Sequence, residues 1–450
     1  MSRLAAILLA ATLLVSACGS ATTSPSTSVV PTPTGTPAPT VAPAPSASPA
    51  GSQTADQVYD AVEQQVIAIR GLTPTKPVER QFIDGSQLRS ILTKQFDEDT
   101  PPAYLAANER LYKALGLIPA DSNLRDISLD LLSGGVAGFY RNDEGKLYVV
   151  SKSGGPGANE RFYFAHEYDH ALQDQNSTIF KDFHDVLDQS DQLLARQAVY
   201  EGDASLLMTQ WAAANLSQTE LLELLAAGSD PEVTQAMASA PAILRDTLTF
   251  PYTTGLGYVS TIQSQGGWPA VNDLFTKMPV STEQILHPEK ATEAPVAVTL
   301  PADLASKLGT GWTVPLEDTF GELQLGIWLR EGGVPAGDAT AAAAGWGGDR
   351  LAVVQGPDGA WAVVMQTVWD TEADAQAFET AATTAIEKSP GVAQVLPGVG
   401  SKTRWVLIAS GAEIPNRPRA FARVILAASA RASRAAERAG SETSTTRASR

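Results

Sequence analysis

Residues 166–170 read His-Glu-Tyr-Asp-His and contain two of the four histidines in the chain. An α-helix turns by about 100° per residue, so His166 and His170 lie on one helix face, one above the other. Neutral imidazole is a preferred ligand of Zn²⁺, and such a pair supplies half of a tetrahedral site. Glu167 lies to one side of that face, where it can reach a water molecule beside the metal without binding the metal itself. The pentapeptide therefore requires a helix and predicts a zinc site on it.

The residues around the motif favour this helix. No glycine or proline falls between residues 158 and 179, and residues 154–157 read Gly-Gly-Pro-Gly, which breaks helices. Apolar residues flank the motif on both sides, so its polar side chains are expected to be buried. A buried helix that carries two His, a Glu and an Asp needs partners for them, and a metal ion supplies one.

A catalytic zinc site with an open fourth position needs a third protein ligand. Residues 200–204 read Tyr-Glu-Gly-Asp-Ala, inside a second stretch predicted to be helical from Ser190 to Asn215. If the two helices cross, Glu201 completes a site of two histidines and one glutamate. Asp203, or Asp174 near the end of the first helix, could hold a ligand imidazole through its other ring nitrogen.

These segments resemble the gluzincin class of zinc metallopeptidases. The segments 165–175, 200–204, 281–290 and 345–350 are similar, more narrowly, to a largely uncharacterised group of bacterial surface lipoproteins of the metallopeptidase type. The resemblance covers residues 55–410, and its specific part runs from the His pair to Glu-Gly-Asp-Ala.

The resemblance implies an α+β fold, with a mostly helical zincin-like domain that includes a small β-hairpin or sheet. It also implies that His166, His170 and Glu201 bind Zn²⁺ and that Glu167 is the general base of peptide-bond hydrolysis. In such proteins an edge strand of the small sheet lines the substrate cleft, so we expect an extended peptide to bind there as an added strand.

Two points remain open at the level of sequence. Asp169 occupies a position that is usually uncharged in zinc peptidases, and it could pair with a nearby base, perturb the site or mark a loss of activity. A side chain must also donate to the developing oxyanion. His287 is the leading candidate, ahead of Tyr252 and Tyr258, although a capping pattern at 281–284 also fits His287 as the end of a short helix.

The amino terminus predicts export. Residues 1–18 have a basic start, an apolar stretch too short to span a membrane, and small residues before Cys18, which is the only cysteine. We expect a lipoprotein signal peptide, with Cys18 as the lipidated residue. Residues 19–55 contain eight prolines and no charged side chain, so we expect a disordered tether.

The remainder divides into three segments. We expect the zincin-like metallopeptidase domain at 56–300, a small α+β domain of unknown role at 316–410, and a basic tail at 411–450. The tail has a net charge of +5 and the rest of the chain −22, so the tail could contact anionic lipid or cell-wall polymers, whereas the acidic body argues against nucleic acid as a partner.

The sequence thus predicts a lipid-anchored, extracytoplasmic zinc metallopeptidase that acts on peptide or protein substrates, including the peptide cross-links of cell wall as one option. The alternative is a surface binding or scaffold lipoprotein of the same fold, in which zinc is structural or absent.

Overall fold

The computed structural model describes residues 54–133, 138–150, 156–180, 188–227 and 231–410. The predicted signal peptide with Cys18, the predicted tether up to residue 53 and the predicted basic tail lie outside these ranges. Within the described ranges, no helix combines the length and apolar character that crossing a membrane requires.

The described part of the chain is a mixed α+β structure in which helices predominate, as the sequence predicts. The helices are α1 (Ala55–Arg70), α2 (Gly85–Asp99), α3 (Pro102–Ala114), α4 (Leu124–Ser133), α5 (Ala158–Asn176), α6 (Ser190–Asn215), α7 (Gln218–Ala227), α8 (Pro231–Ser239), α9 (Ala242–Phe250), α10 (Leu256–Leu274), α11 (Thr282–Leu286), α12 (Leu304–Leu308), α13 (Gly321–Glu331), α14 (Ala336–Ala343) and α15 (Glu372–Ala385). A π-helical turn, Pro251–Gly255, joins α9 to α10. The strands are β1 (Glu79–Ile83), β2 (Gly138–Arg141), β3 (Lys146–Val150), β4 (Thr313–Asp318), β5 (Trp346–Gln355), β6 (Trp361–Trp369), β7 (Val392–Pro397) and β8 (Thr403–Ser410).

A small sheet precedes the helix that carries the histidines. Its strand order is β1-β3-β2, with β1 parallel and β2 antiparallel to β3. Side chains alternate between its faces, so that Tyr140, Leu147 and Val149 join the core formed with α1 and α5, while Phe139 and Tyr148 face the other way. This alternation turns Tyr140 of the edge strand β2 towards α5.

The second sheet has five antiparallel strands in the order β4-β5-β6-β8-β7. The tryptophans Trp346, Trp361 and Trp369 pack in its core. Residues of α3 and α9, which precede it in the chain, belong to the same hydrophobic cluster. Along the sequence, apolar patterns favour only the strands β5, β6 and β8 in this region, and the two edge strands β4 and β7 and the helix α14 are not evident.

The first turn of α6 is bound to the turn between β4 and α13. The backbone N–H of Ser190 donates to Asp318 Oδ1 at 2.7 Å, and the N–H of Asp191 donates to the carbonyl of Thr319 at 3.2 Å. Gly321 has φ +74°, and a Cβ at this position would lie 1.8 Å from Asp191 Oδ1, so only glycine fits. The helix that carries Glu201 thus begins at the junction with the second sheet.

Candidate metal centre

Two helices bring the three predicted ligands together. His166 and His170 lie on α5, and their Nε2 atoms are 3.0 Å apart. Glu201 comes from α6, which packs against α5, and its Oε2 lies 3.3 Å from His166 Nε2 and 3.5 Å from His170 Nε2. All three side chains are at most 1% exposed. Two imidazoles and a carboxylate at this spacing form a cluster that could bind a metal ion.

The chemistry of the cluster fits a divalent cation. Both oxygens of Glu201 are buried, and their polar neighbours are the two imidazoles and the hydroxyl of Tyr252. Burial tends to raise the pKa of Glu201, but the two imidazoles outweigh it and hold the pKa below its usual value, so the carboxylate is charged. A buried charge of this kind needs a counter-charge, and a metal ion bound to Nε2, Nε2 and Oε2 would provide it.

The histidines differ in the metal-free state. Burial lowers the pKa of His166, which keeps this imidazole neutral. Burial acts the same way on His170, but the Glu201 carboxylate outweighs it and raises the pKa of His170 to about 9. One proton therefore occupies the position that a cation would take, and metal binding would release it.

Glu167 is held by the edge strand of the small sheet. The backbone N–H of Tyr140 donates to Glu167 Oε2 at 2.9 Å, whereas Oε1 is buried without a partner among the described residues. Gly138 lets β2 approach, because a Cβ there would lie 3.0 Å from the carbonyl of Tyr148 and 3.6 Å from Glu167 Cγ. Burial raises the pKa of Glu167 to about 8, a shift in the direction expected of a general base.

Gln173 links the ligand His170 to two carboxylates. Its Oε1 lies 2.9 Å from His170 Nδ1, and its Nε2 donates to Asp169 Oδ2 at 3.1 Å, Asp203 Oδ2 at 3.0 Å and the carbonyl of Tyr200 at 3.0 Å. Asp203 therefore acts on the imidazole through an amide and not directly. Gln173 was missed in the sequence, although its position three residues after His170 places it on the same helix face.

Asp169 pairs with a base, which is one of the three alternatives that the sequence leaves open. Arg70 ends α1 and is fully buried; its Nη2 lies 3.0 Å from Asp203 Oδ2 and its Nε lies 3.7 Å from Asp169 Oδ1. The guanidinium also stacks over Trp268, 4.5 Å from the ring centroid. The extra carboxylate in the motif thus has a cation beside it.

Asp174 contacts a different residue from the one predicted. The hydroxyl of Tyr140 donates to Asp174 Oδ2 at 2.8 Å, so Asp174 holds the strand residue that bonds Glu167 and not a ligand imidazole. This follows from its position one residue after Gln173, on the side of α5 that faces β2.

Of the three candidate donors, Tyr252 lies beside the cluster. Its ring centroid is 6.3 Å from that of His166, and its hydroxyl is buried close to the Glu201 carboxylate. Tyr258 packs in a separate hydrophobic cluster. His287, the leading candidate from sequence, donates to or accepts from Glu322 at 2.9 Å and lies 3.6 Å from Glu289, so its described contacts are away from the metal ligands.

Two glycines bring Tyr252 to this position. A Cβ on Gly202, next to Glu201, would lie 2.5 Å from the carbonyl oxygen of Gly255, and a Cβ on Gly255 would lie 2.4 Å from that of Ala198. The backbones of α6 and the π-helical turn are therefore in direct contact. π-Helical turns often occur at functional sites, and this one carries the tyrosine.

Among known proteins, a family model matches the region of the second sheet, and one crystal structure shows a weak similarity to the chain. A family model described as a domain of unknown function (DUF8575) matches residues 311–435, which leaves out the residues of the metal centre. The chain is also similar to a crystal structure from Chloroflexus aurantiacus described as that of "a putative hydrolase with a novel fold". That similarity has 14% sequence identity and a TM-score of 0.34, and it covers 52% of this chain and 87% of the other, too slight a likeness to bear on fold or reaction. No curated protein matches the chain.

Proposed function

We propose that this protein is a zinc-dependent metallopeptidase of the gluzincin kind that hydrolyses peptide bonds in polypeptides. The observation that carries the proposal is the buried cluster of His166, His170 and Glu201, in which the carboxylate faces both imidazoles and Glu167 lies on the helix of the two histidines. Among the described residues this is the one group of three such side chains close enough to share an ion.

Each neighbouring residue has a role that its contacts support. A bound Zn²⁺ would polarise the scissile carbonyl and activate a water molecule. Glu167 would accept the proton of that water at Oε1, which is free, while the N–H of Tyr140 holds Oε2. It would then return the proton to the leaving amine. The hydroxyl of Tyr252 would donate to the oxygen on which negative charge develops.

The edge strand β2 supports a peptide as substrate. One side of β2 pairs with β3, and the N–H of Tyr140 on the other side points to Glu167. An extended peptide added along that side would place its backbone beside the general base.

The alternative function is a binding or scaffold protein with a structural metal. The observation that favours it is the burial of the site, since His166, Glu167, His170 and Glu201 are each at most 1% exposed. Catalysis would require a movement that admits substrate, whereas a structural metal would need none.

Two measurements on the purified full-length chain test the proposal. Metal analysis should give one zinc per chain, lost in His166→Ala and Glu201→Ala and retained in His287→Ala, a matched histidine outside the cluster. Chelator-sensitive cleavage of a mixed peptide library should disappear in Glu167→Gln, which keeps its zinc. Zinc without cleavage would favour the scaffold function, and a chain that takes up no zinc would refute both the enzyme and the structural metal site.

We also propose export and attachment to the membrane through lipid on Cys18. Cys18→Ser should then move the protein from the membrane fraction to the soluble extracytoplasmic fraction. Equal membrane association of the two proteins would contradict the anchor.

A further inference from the structure

We propose that Gln173 selects the tautomer of His170 that can bind the metal, and that Asp169, Asp203 and the carbonyl of Tyr200 fix the direction of the Gln173 amide. Gln173 is thus a positioning residue. The inference rests on the proposed metal site, but it does not depend on the peptidase reaction.

The direction of the amide follows from its surroundings. Three oxygens lie within 3.1 Å of Gln173 Nε2, from Asp169, Asp203 and the backbone of Tyr200. A rotated amide would place its carbonyl oxygen against all three, in a site where Gln173 is fully buried. Buried acceptors that face one another lose their hydrogen bonds without compensation from water. The NH₂ group must therefore face these oxygens.

Because the carbonyl of Tyr200 lies beside the amide of Gln173, the direction of that amide does not depend on the charges of Asp169 and Asp203. A carboxyl group can become a donor when it takes up a proton, but the carbonyl of Tyr200 can only accept. Arg70 in addition places its guanidinium beside Asp169 and Asp203. The amide orientation holds whichever of the two carboxyls is ionised, so it does not rest on their titration.

The tautomer of His170 follows from the amide. Gln173 Oε1 can only accept, and it lies 2.9 Å from His170 Nδ1, so this nitrogen must carry a hydrogen. A histidine that binds a metal is neutral and has one ring hydrogen, which leaves the lone pair on Nε2. Nε2 is the atom that faces His166 Nε2 at 3.0 Å and Glu201 Oε2 at 3.5 Å. The protein thus offers the metal the correct nitrogen of His170 in advance.

This arrangement also gives Asp169 a role. Asp169, the unusual carboxylate of the motif, makes no described hydrogen bond to the metal ligands. It accepts a hydrogen bond from the Gln173 amide and lies beside Arg70. A chain of three side chains, Arg70, Asp203 and Gln173, therefore connects the end of α1 to a metal ligand on α5.

The matched variants are Gln173→Met and Gln175→Met. Both glutamines lie on α5, but Gln175 accepts from the backbone N–H groups of Thr75 and Lys76 and has no described contact with His170. Methionine has a similar length and offers no amide. Loss of such an outer hydrogen-bond partner weakens metal binding by roughly 10–100-fold, so Gln173→Met should lose that much zinc affinity in a chelator competition, and Gln175→Met should match the wild type.

A spectroscopic measurement on the zinc-loaded wild type tests the same point without a variant. Imidazole ¹⁵N spectra, simplified by a total of four histidines, should show His170 with a slowly exchanging hydrogen on Nδ1 and zinc on Nε2. In Gln173→Met that hydrogen should exchange rapidly.

Zinc on Nδ1 of His170 in the wild type, or an unchanged zinc affinity and unchanged Nδ1 hydrogen in Gln173→Met, would overturn the inference. The peptidase proposal fails separately: a zinc-loaded protein with the expected imidazole signals and no hydrolysis would refute the reaction and leave the role of Gln173 intact. A wild-type chain that takes up no zinc would overturn both.

Discussion

Gly255→Ala tests whether backbone contact positions Tyr252. A Cβ at residue 255 would lie 2.4 Å from the carbonyl oxygen of Ala198, whereas ordinary van der Waals contact begins at 3.4 Å. The π-helical turn must therefore move away from α6 by about 1 Å, and it carries Tyr252 with it. Displacements of that size at a reacting group cost on the order of 100-fold in rate. We expect kcat for peptide cleavage to fall by about that factor.

The expected cost to folding is similar in size to the cost to catalysis, because a 100-fold loss of rate corresponds to about 2.7 kcal/mol. Overpacking of a close contact destabilises a protein by about 1–3 kcal/mol, which urea unfolding can measure. Zinc affinity should change little, because the new contact falls on Ala198 of α6 and the two histidines lie on α5.

Gly257→Ala is the matched control. This glycine lies two residues further on, in α10, and nothing lies within 4 Å of an added Cβ. Since alanine favours a helix over glycine by about 1 kcal/mol, the control should be slightly more stable and fully active. If Gly255→Ala cleaves peptides as fast as Gly257→Ala, the contact does not position Tyr252 and the reasoning is wrong.

Three further predictions follow from buried polar groups. Tyr252→Phe should lower kcat by about 10²–10³-fold with unchanged zinc content, and equal kcat values would exclude the hydroxyl as donor. Arg70→Met should lower the free energy of unfolding by about 3–5 kcal/mol, because it leaves Asp169 and Asp203 buried without their cation; a loss under about 1 kcal/mol would contradict the ion pairing. Burial raises the pKa of Asp318 to about 7, above its value in the unfolded chain, so the folded state holds an extra proton. This contribution is complete below the unfolded pKa and is lost as pH rises through about 7, so metal-free protein should be more stable at pH 5 than at pH 8 by about 3 kcal/mol from this group. Asp318→Asn should remove that part of the pH dependence, and an unchanged pH profile would refute it.

Local patterns predicted much of the candidate metal site. The spacing of His166 and His170 requires a helix, and the helix is observed as α5. Alternating apolar residues on either side of a turn that contains Gly145 favour the hairpin that β2 and β3 form. Both signals depend on residues close together in the chain, where geometry follows directly from spacing.

The edge strands were harder to predict because each has weak alternation and a proline. Pro315 lies in β4 and Pro397 ends β7, and proline is tolerated in sheets mainly at edges, where its missing N–H leaves no neighbour unpaired. Read along the sequence alone, the same prolines argue against a strand. Their place at the edges depends on the order of all five strands.

The contacts around the candidate metal site that could not be predicted from the sequence join residues far apart in the chain. Arg70 is 133 residues from Asp203 in the chain. The contact between Gly202 and Gly255 joins two helical segments whose approach depends on the packing of the whole helical unit. The sequence therefore ranked His287 ahead of Tyr252 as donor, and the position of Gln173 on the helix face of His170 gave no sign of its contacts with Asp169 and Asp203.

The hydrogen bonds made by the first turn of α6 limit how far the chain can be shortened from its carboxyl end. A chain cut at residue 300 would retain His166, Glu167, His170 and Glu201, and by sequence it would look like an intact catalytic core. It would lack Asp318 and Thr319, which accept hydrogen bonds from the first backbone N–H groups of α6. It would also lack Gly321, which packs against the side chain of Asp191. Truncation from the carboxyl end should thus preserve metal binding as far as residue 410. Further truncation should abolish metal binding while Glu201 is still present in the chain.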